Sequence, residues 1–139
     1  MKRKFMSFLG LSLLLVMMFS LNSFASSGER TVTVGTGSVF TTGVVGVTRS
    51  GNYAYVDINI ISVYPLDNRE DNFTKCRVRI YKNDKTGAAF SNEYTLSETD
   101  GNKSINLYNG GLSCLSFNIK LAGNNPEYGA GIRFKYDGK

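Results

Sequence analysis

The sequence contains no histidine. Ser-His-Asp triads, cysteine nucleophiles with a histidine base and the common catalytic zinc sites all depend on an imidazole, so these classes of active site are excluded. Paired carboxylates remain available, because glycosidases need two Asp or Glu residues at a set separation. The candidates for such a pair are Asp57, Glu93 and Glu98. Since a small domain leaves little chain for the walls of a sugar cleft, we do not expect an enzyme.

Tryptophan is absent as well, and cysteine and proline occur only twice each. The missing tryptophan removes the largest flat ring on which a sugar can stack, which makes carbohydrate binding somewhat less expected. Beyond residue 25, no run of a dozen residues carries apolar side chains at helical spacing. Strands are therefore the expected secondary structure.

The first 25 residues have the order of a secretory signal peptide. Basic residues at positions 2–4 precede an apolar run over residues 5–19, and small residues follow up to Ala25. A membrane-spanning helix needs about 20 apolar residues, which is more than this run supplies. We therefore expect cleavage after Ala25 and secretion of residues 26–139 as one extracellular domain.

Cleavage would remove three of the 16 basic residues and none of the 11 acidic ones, leaving a net charge of +2. That small excess predicts no nucleic-acid partner. The densest basic segment contains Lys75, Arg77 and Arg79, which alternate with less polar residues. We interpret it as the solvated face of a strand. The sequence shows no cofactor-binding motif and no metal-binding spacing, so we expect neither a cofactor nor a metal.

Alternation with a period of two recurs along the chain and predicts half-buried strands. Turn residues such as Asn, Asp and Gly separate these runs, from which we expect mainly hairpin connections. About eight short strands favour an antiparallel β-sandwich, either a jelly roll or immunoglobulin-like, with a closed barrel as the runner-up. The predicted core consists of the inward-facing residues Val56, Ile58, Val78, Ile80, Phe117, Ile119 and Phe134.

Both cysteines, Cys76 and Cys114, lie in the part expected to be exported. In an oxidising compartment, a single pair predicts a disulfide. Cys76 is in phase with the apolar residues of its strand, whereas Cys114 is in phase with polar ones. A β-bulge before Leu115 would turn Cys114 inward, and without it both cysteines would lie on an outer face.

Two groups of residues are candidates for ligand binding. Tyr53 and Tyr55 share one strand face with Asp57 and Asn59, and tyrosines beside amides can bind sugars or proteins. The alternative is that both tyrosines are ordinary strand formers. Binding of a glycan or protein at this face would not require a cofactor.

The second group is a polar loop after Tyr64 that contains Asp67, Arg69 and Asp71. Long loops on rigid scaffolds commonly carry recognition residues, which makes this loop a candidate. Its oxygen-rich side chains are of the type that Ca²⁺ prefers, but the spacing is not that of an EF-hand. A solvated loop is the favoured interpretation over a metal site.

Residues 31–48, from Thr31 to Thr48, carry no charge and are rich in Val, Thr and Gly. This stretch could insert into a membrane as a hairpin, or add as a strand to another subunit's sheet. We favour a pair of strands covered by the rest of the sandwich. On that interpretation, a lysine in place of Val45 would destabilise the fold.

These observations favour a secreted β-sandwich module that recognises a protein or glycan at a surface. A small membrane-active toxin or bacteriocin that uses residues 31–48 is the alternative, and a carboxylate-based hydrolase is the third hypothesis. The basic start and the loops rich in Asn and Lys resemble small exported proteins of Gram-positive bacteria. That resemblance assigns no role to any residue, and the oligomeric state stays open.

Overall fold

The computed structural model describes residues 26–37, 39–49, 54–66, 74–111, 116–125 and 127–138. The predicted signal peptide, residues 1–25, lies outside them and stays a prediction. The described residues form eight strands and one short 3-10 turn at Tyr108–Gly111. The strands are β1 Ser27–Val34, β2 Thr41–Thr48, β3 Tyr55–Pro65, β4 Lys75–Lys82, β5 Tyr94–Ser97, β6 Asn102–Asn106, β7 Ser116–Gly123 and β8 Ala130–Asp137.

The strands form two antiparallel four-stranded sheets. Sheet A has the order β1-β8-β3-β6, and sheet B has the order β2-β7-β4-β5. This is the strand order of an eight-stranded jelly roll, which confirms the predicted β-sandwich. The expectation that most connections would be hairpins is wrong. Among the eight described strands, β4 and β5 are the only consecutive pair that is also adjacent in a sheet. Turn residues predict where the chain reverses, but they do not predict that it crosses to the other sheet at almost every reversal.

The core lies between the two sheets and is built from the inward-facing side chain of each alternating pair. All seven residues of the predicted core are fully buried there. Phe90, which precedes β5, is buried among them although it lies outside a strand. The prediction of the core is therefore confirmed.

Two predicted strands have different bounds in the structure. The alternation of Ala54, Val56, Ile58 and Ile60 with more polar residues predicts a strand up to Ile60, but β3 continues to Pro65. A bulge between Ile60 and Ser62 shifts the register with β8, which breaks the period of two. The sequence also predicts a weaker strand near Phe90–Leu96, but the structure has only β5 there, preceded by isolated bridges at Ala89 and Ser91.

The uncharged stretch of residues 31–48 does not form a hairpin, because β1 is an edge of sheet A and β2 is an edge of sheet B. Ser26 links these two strands. Its amide donates to the Thr48 carbonyl at 3.1 Å, and its hydroxyl accepts from the Thr48 amide at 2.9 Å. The expectation that the pair is fully covered is wrong for its outer side, where Val45 is 70% exposed.

Candidate binding groove on the outer face of sheet A

A shallow groove of about 480 Å³ crosses the outer face of sheet A. All four strands of the sheet, β1, β3, β6 and β8, contribute residues to its lining. Six polar residues define this sheet-A groove: Ser27, Glu29, Asp57, Asn102, Lys135 and Asp137. Gly28 and Tyr136 complete its lining.

Asp57 lies at the centre of sheet A, on β3 between its two neighbouring strands. It is opposite Ser104 of β6 and opposite Asp137 of β8. The Ser104 hydroxyl donates to Asp57 Oδ1 at 2.6 Å. The alternation of β3 predicts that Asp57 lies on a solvent-exposed strand face, which is wrong because only 4% of this residue is exposed. Neighbours on both sides cover the side chain of a central strand, whereas the alternation indicates only the direction in which it points.

Asp137 brings a second carboxylate next to Asp57. Like charges that lie directly opposite each other on neighbouring strands are destabilising. Among the described residues, no hydrogen bond or ion pair engages the Asp137 side chain, which is half-buried. The groove therefore contains a half-buried acceptor that no other described residue engages.

Glu29, a further charged residue of the groove, lies within ion-pair distance of Arg133 and Lys135 on β8. Arg133 donates from Nε to Glu29 Oε1 at 2.5 Å. Lys135 Nζ lies 3.8 Å from Glu29 Oε2, which is close to the limit for an ion pair. Lys135 lines the groove and its side chain is 62% exposed, so its ammonium is accessible as a hydrogen-bond donor.

The described residues include only part of the predicted binding site. Tyr55, Asp57 and Asn59 share the outer face of sheet A as predicted, and the two flanking residues are half-buried. Tyr64 lies on the same face, where its ring covers Gly131, and it is 46% exposed. Nine residues of strand span about 30 Å, so Tyr64 is too far from Tyr55 for both to contact one small ligand. Tyr53, Asp67, Arg69 and Asp71 lie outside the described residues.

The three carboxylates considered for catalysis are not brought together. Glu93 pairs with Arg77 of sheet B at 3.1 Å. Glu98 accepts from the Val63 amide at 2.5 Å. Asp137, the partner that Asp57 has in the structure, was missed because β3 and β8 are 80 residues apart at this pair. No local pattern indicates such a pairing.

Cys76 is a free thiol that is fully buried in β4. Burial raises its pKa to about 12, because desolvation disfavours the thiolate. Cys114 lies outside the described residues, so the predicted disulfide is not confirmed.

No protein-family model matches this chain, and no curated protein matches it. One solved structure with a similar fold is a chain described as "Bacillus endospore appendages form a novel family of disulfide-linked pili". The likeness covers 84% of this chain and 88% of that chain, with 7% identity and a TM-score of 0.36. A likeness this distant carries no argument about function.

Two features are absent from the part of the chain that the structure describes. It contains no helix that is long and apolar enough to cross a membrane. It also contains no group of three or more cysteine or carboxylate side chains arranged to hold a metal ion.

Proposed function

We propose that this protein is a secreted surface-binding module that recognises a glycan in the sheet-A groove. The observation that carries the proposal is the Asp137 carboxylate beside the buried Asp57, since no hydrogen bond or ion pair from the described residues engages Asp137. A like-charge pair lowers stability, so its presence in a groove is best explained by a ligand that hydrogen-bonds to it.

The chemistry of the groove suits a polyhydroxylated ligand. Sugar hydroxyls donate and accept, and the groove offers carboxylate acceptors, the Lys135 ammonium and the Asn102 amide. Tyr55 lies two residues from Asp57 on the same face and supplies a half-buried ring at the same strand. Protein interfaces instead centre on apolar and aromatic residues that become fully desolvated. No large exposed apolar residue lines this groove, which favours a glycan over a protein.

A glycan array probed with the purified protein tests the proposal, followed by calorimetry on the best ligand. Loss of one hydrogen bond to a charged group costs about 1.5–3 kcal/mol, so Asp137→Asn should weaken binding by about 10- to 100-fold. The variant should keep its melting temperature, because it removes a like-charge contact. Asn102→Ala provides a second, exposed variant in the groove.

Glu127→Gln is the matched control, since Glu127 is an exposed acid in the turn before β8, at the opposite end of that strand from Asp137. It should bind as the parent protein does. The proposal fails if the parent protein binds no glycan, or if Asp137→Asn binds as tightly as Glu127→Gln. Capture of a protein partner through the same groove would replace the glycan with a protein ligand.

A carboxylate-based hydrolase is the second candidate, and the opposition of Asp57 and Asp137 is the observation that favours it. Retaining glycosidases hold two carboxyl groups about 5–5.5 Å apart, and directly opposite residues of an antiparallel pair have Cβ atoms at a similar separation. Release of reducing sugar from the glycans that bind would favour this candidate. Binding without release would favour the binding module.

A further inference from the structure

The outer face of sheet B contains two aromatic rings surrounded by three cations. The ring centroids of Phe40 and Tyr81 are 6.1 Å apart in an edge-to-face arrangement. The Arg77 guanidinium lies 5.3 Å from the Phe40 centroid. The Arg79 guanidinium and the Lys120 ammonium lie 5.7 and 4.4 Å from the Tyr81 centroid. We call these five half-buried residues the cationic–aromatic surface.

Two of its cations face each other directly. Arg79 of β4 is opposite Lys120 of β7, and both point outward because the residues on either side of each are buried. Like charges in this arrangement are destabilising. The shared Tyr81 ring attracts both cations, but a ring carries no net charge and cannot neutralise them.

The three cations differ in their ion-pair and hydrogen-bond partners. Arg77 is paired with Glu93 at 3.1 Å, and its Nε donates to the Gly123 carbonyl at 3.2 Å. Within the described part of the chain, Arg79 donates from Nε alone, to the Ser91 carbonyl at 3.1 Å. Within the described residues, no carboxylate lies within ion-pair distance of Arg79 or Lys120. Among the described residues, two adjacent positive charges on neighbouring strands are therefore left without a carboxylate partner.

We propose that Arg79 and Lys120 bind a phosphate group. A phosphate monoester carries about −1.5 to −2 charges at neutral pH, which matches the two unneutralised cations. The Nε bond and the Tyr81 ring hold the Arg79 guanidinium in place, so its Nη atoms are preorganised to donate to phosphate oxygens. Lys120 supplies a compact second charge on the opposite side.

This site lies on the sheet opposite the one that carries the sheet-A groove, so it does not depend on the glycan proposal. The amide chemical shifts of the isotope-labelled protein, followed during titration with sodium phosphate at constant ionic strength, test it. We expect saturable shifts in β4 and β7. Arg79→Gln and Lys120→Gln should each weaken binding by about 10-fold or more, because each removes a charged hydrogen-bond donor.

If Arg79 and Lys120 only stabilised the fold, replacing either of them would lower the melting temperature. Here, loss of either cation should leave the melting temperature unchanged or raise it, since the repulsion between them disappears. Lys103→Gln is the matched control, because Lys103 is exposed on β6 of sheet A. It should bind phosphate as the parent protein does, and so should the groove variant Asp137→Asn.

Comparison of inorganic phosphate with glucose 6-phosphate distinguishes two sources of the same group. Equal affinities would support binding of free phosphate, and a higher affinity for the sugar phosphate would support a phosphorylated glycan. The proposal is overturned if phosphate causes no saturable shift in β4 and β7. It is also overturned if Lys103→Gln loses as much affinity as Lys120→Gln, because the attraction would then be unspecific.

Discussion

At the scale of single residues, Gly43 shows how closely the edge strand β2 approaches the core. A Cβ atom added at this position would lie 2.5 Å from Leu121 Cδ1 and 3.1 Å from Phe134 Cζ. Both neighbours are fully buried, so room for this atom can come only from rearrangement of the core. The small residue is thus required by packing.

Gly43→Ala should lower the free energy of unfolding by about 1–3 kcal/mol, because an overpacked core must shift. Urea denaturation measures this loss. Gly35→Ala is the control, since an added Cβ there meets nothing within 4 Å. That change should leave stability unchanged or raise it by about 0.4–1 kcal/mol through the unfolded chain. Equal losses in the two variants would contradict the packing argument.

The Cys76 thiol gives the protein a pH dependence on the alkaline side. Its pKa is about 12 in the folded state against 9.0 for an ordinary cysteine. Between these values the unfolded chain loses the proton while the folded chain keeps it, so stability falls as the pH rises. The contribution is complete below about pH 9, and three pKa units correspond to about 4 kcal/mol in total.

Cys76→Ala should remove this alkaline loss, although it lowers stability at every pH by creating a small cavity. Unfolding by urea under reducing conditions, at successive pH values up to about 10, measures the two slopes. A disulfide to Cys114 would leave no thiol to titrate, and without reductant both slopes would then be equal. Intact mass before and after reduction provides the direct check on that cross-link.

At the scale of elements, β2 is the strand whose outer side is least protected. It carries no charge, and Val45 is 70% exposed at its centre. Charged residues commonly protect an edge strand from pairing with another chain. Here, register shifts between β2 and β7 disrupt the ladder instead, which makes the edge irregular.

Val45→Lys should therefore change the free energy of unfolding by no more than about 0.5 kcal/mol, in contrast to the expectation from covered strands. Val44→Lys is the matched control, because Val44 is buried and a lysine there would be desolvated. Thermal melting distinguishes the two. If the parent protein released dye from vesicles and Val45→Lys did not, the membrane-active alternative would be favoured.

At the scale of the whole molecule, the sequence predicts burial well and pairing poorly. Whether Val56 or Ile58 faces inward depends on the neighbouring residues along the chain, so the alternation of apolar and polar residues is sufficient to predict their burial. The opposition of Asp57 to Asp137 depends on which strands cross between sheets, and that information is not local. The basic alternation at Arg77 and Arg79 was visible, but the proximity of Lys120 was not.

Both proposed sites arise from that non-local register. The sheet-A groove needs β3 beside β8, and the cationic–aromatic surface needs β4 beside β7. Because the outer faces of the two sheets point in opposite directions, a sandwich whose sheets lie about 10 Å apart could hold two different ligands at once. Such a molecule would connect a glycan to a phosphate-bearing partner.

The junction at Ser26 has a mechanical consequence. Ser26 accepts from the Gly138 amide at 3.1 Å, so both ends of the described fold lie side by side where β1 and β8 pair. Tension applied through these ends would pull across an antiparallel ladder from one side. The hydrogen bonds between β1 and β8 would then break one after another from that end, instead of sharing the load as they do when strands are pulled along their length. To resist tension, this domain would have to be attached at sites other than the two ends of the described fold.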